Sequence, residues 1–238
     1  MNPAGAPGPL DAIILAGGRA ERLGGASKPD LVVGGRSLLS IAIDAARTVG
    51  CARIIVVGPS ELDAPGCTVV REDPPFGGPV AAVAAGLAAL GVPGGRVAPG
   101  EAGRVSRPGD PDLDPRRAAR GATRSPNDDV LVLARDMPDA HDATRRLGEA
   151  RSEASVGDGV CLVDADGNTQ WLAAIYSRSS LERSLDVLEL ERGVTGASMR
   201  RLAASLDLTL VADGGSTHDI DTWSDLERAR STEQEAAQ

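Results

Sequence analysis

Residues 12–30 read AIILAGGRAERLGGASKPD. The apolar run Ala12 to Leu15 has the length of a buried strand. It ends in Ala16-Gly17-Gly18, where missing side chains let backbone amides approach a ligand closely. Arg22 and Lys28 then bracket a second glycine pair, Gly24-Gly25. Bare amides and two cations around one turn suit anionic oxygens, most often phosphate. Pro29, not Ser or Thr, follows Lys28, and no GxGxxG is present. The turn is therefore neither a P-loop nor a dinucleotide fingerprint.

Outward from this segment, strand-like and helix-like stretches alternate. Strand patterns fall at 54–57, 69–70, 130–134, 159–163, 171–176 and 209–211; helical patterns fall at 37–49, 79–90, 141–151, 179–190, 198–206 and 222–230. This βαβ rhythm predicts an α/β fold with an open, mainly parallel sheet and helices on both faces, binding ligands at the carboxyl ends of its strands. The rhythm fails at 92–127, where 36 residues hold 12 Pro plus Gly, seven Arg and four acidic residues, with few large apolar side chains. Such a composition does not repay the entropy of ordering and predicts a disordered surface insertion, with a basic docking arm as the alternative. Residues 1–9 and 231–238 read as flexible tails, which leaves 10–230 as a single domain.

The chain has 238 residues and a net charge of -9, the opposite of the basic footprint of a nucleic-acid surface. Four aromatic residues supply no stacking platform for single strands. The start, MNPAGAPGPL, lacks the pattern of a signal peptide, and no apolar run is long enough to cross a membrane, so a cytoplasmic location is expected. Cys51, Cys67 and Cys161 are odd in number and have no CxxC spacing; buried free thiols are expected, not disulfides or a zinc site.

Three further constellations can carry chemistry. Asp136 follows the strand Val130 to Ala134 and precedes Met137-Pro138, which places a carboxylate where the glycine turn opens. It can hold a divalent cation that bridges to substrate phosphates, or cap the following helix. Asp219 and Asp221 share one face of an extended segment, suiting a metal or ligand; Asp221 or Thr222 equally suits the N-cap of a final helix. Glu72-Asp73-Pro74-Pro75 with Gly77-Gly78-Pro79 offers a carboxylate and helix-opening amides to the edge of a base, or forms only a turn. His141 and His218 read as surface residues.

LAGG at 15–18, Arg22 to Gly25, Lys28, Glu72-Asp73 with Gly78-Pro79, Asp136-Met137-Pro138 and Asp219-Ile220-Asp221-Thr222 together resemble the molybdenum cofactor guanylyltransferases. The segment LVDADGNTQWLAAIY, at 162–176, resembles that subgroup in particular. The resemblance implies a three-layer α/β/α, Rossmann-like sheet of the glycosyltransferase-A-like nucleotidyltransferase type. It implies GTP and the molybdopterin cofactor as substrates, Mg2+ as cofactor, and transient contact with molybdoenzymes or cofactor-synthesis proteins. By the same resemblance Leu15, Ala16 and Gly17 hold the nucleotide, Lys28 and Arg22 face its phosphates, Asp73 holds the nucleoside, and Gly58 is a further nucleotide contact. Asp136 binds the metal with Asp221 completing its site, and the pterin lies near Gln170 and 219–221. Arg135, Asp139 and Trp171 depart from the family pattern. The DxDT ending also resembles molybdenum cofactor cytidylyltransferases and phospholactate guanylyltransferases. A nucleotide-binding accessory protein without turnover is the rival of a different class.

Overall fold

The computed structural model describes residues 10–17, 32–91, 129–153 and 157–217. The expected tails, the 92–127 insertion and the helix expected at 222–230 lie outside the described residues. The strands are β1 (Leu10–Leu15), β2 (Val32–Val33), β3 (Arg36–Ser37), β4 (Cys51–Val57), β5 (Thr68–Val70), β6 (Asp129–Ala134), β7 (Gly159–Val163), β8 (Thr169–Ser177) and β9 (Leu208–Ala212). The helices are α1 (Leu38–Thr48), α2 (Pro79–Gly91), α3 (Ala140–Glu153), α4 (Arg178–Glu191) and α5 (Met199–Leu202).

Among the described residues, seven strands form one sheet in the order β5-β4-β1-β6-β8-β7-β9. The pairs β5-β4, β4-β1, β1-β6 and β7-β9 are parallel, whereas β8 is antiparallel to both β6 and β7. The mainly parallel α/β sheet is as expected, with β8 the one reversed strand.

All six residues of β1 are buried, because helices cover both faces of the strand. Its alternate side chains feed two separate cores. Leu10, Ala12 and Ile14 pack with α1 and α3 on one face, while Ile13 and Leu15 pack with α2 and α4 on the other. Ser37 starts α1 by accepting from the Ser40 N–H at 3.1 Å, an N-cap that satisfies one orphan donor of the first turn. On the opposite face α2 approaches β1 closely at Gly86, where a Cβ would come within 2.7 Å of Ile13. That approach lays the start of α2 over the end of β1.

Charges at the amino ends of the strands are paired. Asp11 accepts from the Arg53 guanidinium at 3.1 Å, and the buried Asp129 accepts from Arg151 at 2.6 Å. The three cysteines are free, with Cys161 buried and Cys51 and Cys67 partly exposed. Burial pushes the Cys161 and Cys51 thiols up to about 12, and raises the buried Tyr176 hydroxyl, which donates to the Trp171 carbonyl at 2.8 Å.

These groups make the fold sensitive to alkali. Above pH 9 the unfolded chain releases thiol protons that the folded chain keeps, so their contribution is complete below that pH and falls as pH rises toward 12. Each contributes a slope of at most about 1.4 kcal/mol per pH unit. Urea unfolding at pH 8 and pH 10.5 is expected to show a stability drop that shrinks in Cys161→Ala. An unchanged drop in that variant would assign the alkaline sensitivity elsewhere.

Candidate functional site

The four strands β5, β4, β1 and β6 end in a row, and hydrogen bonds beyond their ladders tie the ends together. Gly58 N donates to Val70 O at 2.8 Å, Ala16 N to Val57 O at 2.8 Å, and Arg135 N to Leu15 O at 3.2 Å. The segments that follow therefore emerge side by side: Ala16-Gly17, Gly58, Arg71-Glu72 and Arg135-Asp136. This is the crevice where open α/β sheets bind ligands.

A cavity of ≈ 360 Å³ opens there, with Leu15, Gly17, Glu72, Phe76 and Asp136 in its wall. The first turn of α2 adds Pro79 and Ala82, and β8 adds Leu172. Leu172 reaches this wall because Leu133 pairs with Ala173, which sets Leu172 beside Ala134. Apolar walls with a few polar groups at defined positions are the usual makeup of a small-molecule site.

Gly17 and Gly58 serve the crevice differently. A Cβ on Gly17 would lie 3.6 Å from Glu72 Oε1, an ordinary contact, so glycine here leaves the backbone uncovered without being needed for packing. A Cβ on Gly58 would come within 2.8 Å of Leu62 and 3.0 Å of the Ala16 carbonyl carbon. Gly58 is buried and supports the glycine turn from behind, and it does not line the cavity.

Asp136 is half-buried and faces the cavity, flanked by the buried Arg135 and Met137. Burial depresses the Arg135 guanidinium, and the Asp136 carboxylate opposes that shift. Arg135, one of the departures from the family pattern, is packed out of the cavity wall. Asp139 is exposed, and Trp171 is half-buried against the core that holds α2 and α4.

On the other side of Gly17, the buried member of the acidic pair is Glu72; Asp73 is exposed and stands outside the wall. Strand parity explains this. Val70 packs toward the α2 face, and Glu72, two residues on, continues that face. Glu72 Oε1 accepts from the Phe76 N–H at 3.0 Å, closing the turn. The loop after α4 seats on the same turn, where Gly196 N donates to Gly77 O at 2.7 Å.

Gln170 is tied away from the cavity, its Nε2 donating to Asp164 Oδ2 at 2.9 Å. Hydrogen bonds from the Asn168 backbone and side chain lower the Asp164 carboxyl below its ordinary range. His141 sits on the surface, 3.7 Å from Asp44. Among the expected site residues, the structure brings Leu15, Gly17 and Asp136 to one wall, with Ala16 buried between the first two. Arg22, Lys28 and Asp221, and with them Gly24, Gly25, His218 and Asp219, lie outside the described residues. Glu72 belongs to the acidic motif of the sequence, where the resemblance singles out its neighbour. Phe76, in the turn before α2, and Leu172, inside β8, carry no signal of their own in the sequence.

The family described as MobA-like NTP transferase domain matches residues 12–208. A molybdenum cofactor guanylyltransferase of Bradyrhizobium sp. (strain ORS 278) is 40% identical over 79 residues. That match spans 32% of this chain and 37% of the relative, so the chain covers little more than a third of its length. Among solved structures, molybdopterin-guanine dinucleotide biosynthesis protein A from Archaeoglobus fulgidus aligns with a TM-score of 0.60 at 15% identity, covering 94% of this chain and 99% of that one. The 2-C-methyl-D-erythritol 4-phosphate cytidylyltransferase from Thermus thermophilus aligns with a TM-score of 0.58 at 17% identity, covering 95% and 99%. At such identities both share its fold.

Proposed function

The chain belongs to the MobA-like NTP transferase family, and from that membership we propose that it transfers GMP from GTP to the molybdopterin cofactor in the cytoplasm. The observation that carries this reading is the cavity at the strand ends, where the exposed Gly17 backbone, a half-buried carboxylate and an apolar wall meet.

In the reaction, an oxygen of the molybdopterin phosphate attacks the α-phosphorus of GTP. A new P–O bond forms, the α–β bridging bond breaks, and pyrophosphate leaves with the electron pair. The attacking phosphate is already anionic, so no protein nucleophile or base is required. The obstacle is the approach of one anion to another, which positioning and preorganised positive charge overcome. The Gly17 backbone, with Lys28 and Arg22, binds the phosphates, and Ala16, whose N–H donates to Val57 O, fixes the position of that backbone. Asp73 sits at the exposed rim for the ribose, and Gly58 acts indirectly by holding Ala16.

Among the described residues no group of three or more His, Cys, Asp or Glu stands together to hold a metal. The lone Asp136 fits Mg2+, which commonly takes one or two carboxylates and completes its shell with water and substrate phosphates. Asp221 is the second candidate ligand. Bound there, the ion would neutralise phosphate charge. Molybdoenzymes and cofactor-synthesis proteins are the proposed transient partners.

Mixing the protein with Mg2+, molybdopterin and GTP, CTP or ATP tests the assignment. Pyrophosphate release is expected with GTP. Release with CTP alone would move the reading to a molybdenum cofactor cytidylyltransferase, an activity class that the shared fold also serves. Tight GTP binding without release from any nucleotide would favour a non-catalytic accessory role.

A further inference from the structure

Phe76 is the only phenylalanine of the chain, and it is 53% exposed at the cavity wall. Its backbone takes a φ of 64°, and it is the one non-glycine residue with positive φ among the described residues. An L side chain in that region carries a steric cost, and such strain concentrates at ligand sites when the surroundings impose it. Two contacts impose it here. The Phe76 N–H is held by Glu72 Oε1, and the Arg71 guanidinium lies over the ring, 5.6 Å from its centroid. An exposed aromatic plate is thus fixed beside a buried carboxylate, and both face one cavity.

We infer that Glu72 and Phe76 form a guanine-reading clamp. The base stacks on the ring face opposite Arg71, and the Glu72 carboxylate accepts from its N1–H and 2-amino group. The inference rests on the guanylyl reading and supplies its source of base choice.

A carboxylate is acceptor-only, with two oxygens and about four lone-pair sites. The Phe76 amide uses one, and room remains for two further donors. Guanine alone among the common bases presents two adjacent donors on its pairing edge. Adenine and cytosine each present one donor beside an acceptor, and that acceptor would face a carboxylate oxygen. Glu72 is 7% exposed, so an unmatched lone pair there would not be repaired freely by water. Base stacking on an aromatic ring is indifferent to base identity, so the ring supplies affinity and the carboxylate supplies choice. Asp136, on the opposite side of the Gly17 backbone, remains at the phosphate end.

The test is calorimetric binding of GTP, ITP and CTP to the full chain. ITP has the guanine edge without its 2-amino group. Wild-type protein is expected to prefer GTP over ITP by about 10-fold or more. Glu72→Gln replaces one acceptor by a donor; it is expected to weaken GTP by about 10- to 100-fold and to bring GTP and ITP close to equality. Phe76→Gly is expected to weaken both nucleotides by the same factor, about 5- to 100-fold, while its melting temperature stays level or rises as the φ strain is released. Equal wild-type affinity for GTP and ITP would overturn the clamp, and that comparison needs no variant. An unchanged GTP-to-ITP ratio in folded Glu72→Gln would overturn it too. Preference for CTP over GTP in the wild type would instead overturn the guanylyl reading beneath it.

Discussion

Asp136→Asn is expected to lower turnover with GTP by about 10² to 10³, or roughly 3 to 4 kcal/mol of transition-state stabilisation. The substitution keeps the shape of the side chain, so β6 and its bond from Arg135 N to Leu15 O should persist. What it removes is the carboxyl charge that Asp136 brings to the cavity wall. The loss should appear in kcat and in the Mg2+ concentration needed for half-maximal rate, more than in the affinity for free nucleotide. A second effect follows from Arg135. Its guanidinium is 6% exposed and depressed by burial, and the neighbouring carboxylate offsets that cost. Neutralising Asp136 leaves the buried cation less compensated, so a lower melting temperature should accompany the kinetic loss. Asp136→Asn combined with Arg135→Met should recover the melting temperature without recovering turnover. Normal turnover in Asp136→Asn would sink the metal-site assignment.

Gly159→Ala is expected to destabilise the fold by about 3 kcal/mol or more, through overpacking and backbone strain together. Gly159 opens β7 at a φ of 153°, and a Cβ there would stand 2.2 Å from the Ile175 carbonyl oxygen and 3.0 Å from the Tyr176 Cα. Both obstacles are backbone atoms of the paired strand, so relief requires opening the β7-β8 ladder. Asp158, next to it, ties the same corner: its carbonyl accepts from Ser177 N at 2.7 Å, and its carboxylate accepts from Asp207 N at 2.9 Å and from the Ser180 hydroxyl. At about 2 to 4 °C per kcal/mol for a chain of this size, the melting temperature should fall by roughly 10 °C. Gly167→Ala is the control. Gly167 also has positive φ, 83°, but a Cβ there meets nothing within 4 Å, so it should cost only about 1 to 2 kcal/mol. Equal losses in the two variants would show that conformation, not close approach, sets the cost at Gly159.

The parallel strands were legible because each is a short apolar run buried on both faces, as Ala12 to Leu15 and Val130 to Ala134 illustrate. The α1 helix was legible to within a residue at each end from its apolar spacing. The reversal of β8 was not, since a strand's direction in a sheet is set by its partners and leaves no local mark. The β2-β3 hairpin was missed because two-residue strands around Gly34-Gly35 carry no period. At the site, the glycine turn and Asp136 stood out because each ends an apolar run. In the acidic pair, burial could not be read from the motif: Glu72 is buried and Asp73 exposed, and which acid turns inward depends on the face Val70 already occupies. Phe76 was unreadable for a different reason, since neither its backbone conformation nor its place in the wall is written in the residues beside it.

Because β8 runs backward, the two sides of the crevice differ in how freely they can diverge among descendants of one ancestor. The Gly17 and Glu72 side is assembled from the parallel strands β1, β4 and β5, so altering it disturbs several connections at once. The opposite side begins with the 164–168 hairpin, a single local link between β7 and β8 that leads directly to Leu172. Insertions or substitutions in that link leave the strand order intact. Within this architecture, the Leu172 side of the crevice can change through one local link, while the Gly17 and Glu72 side is held by the topology itself.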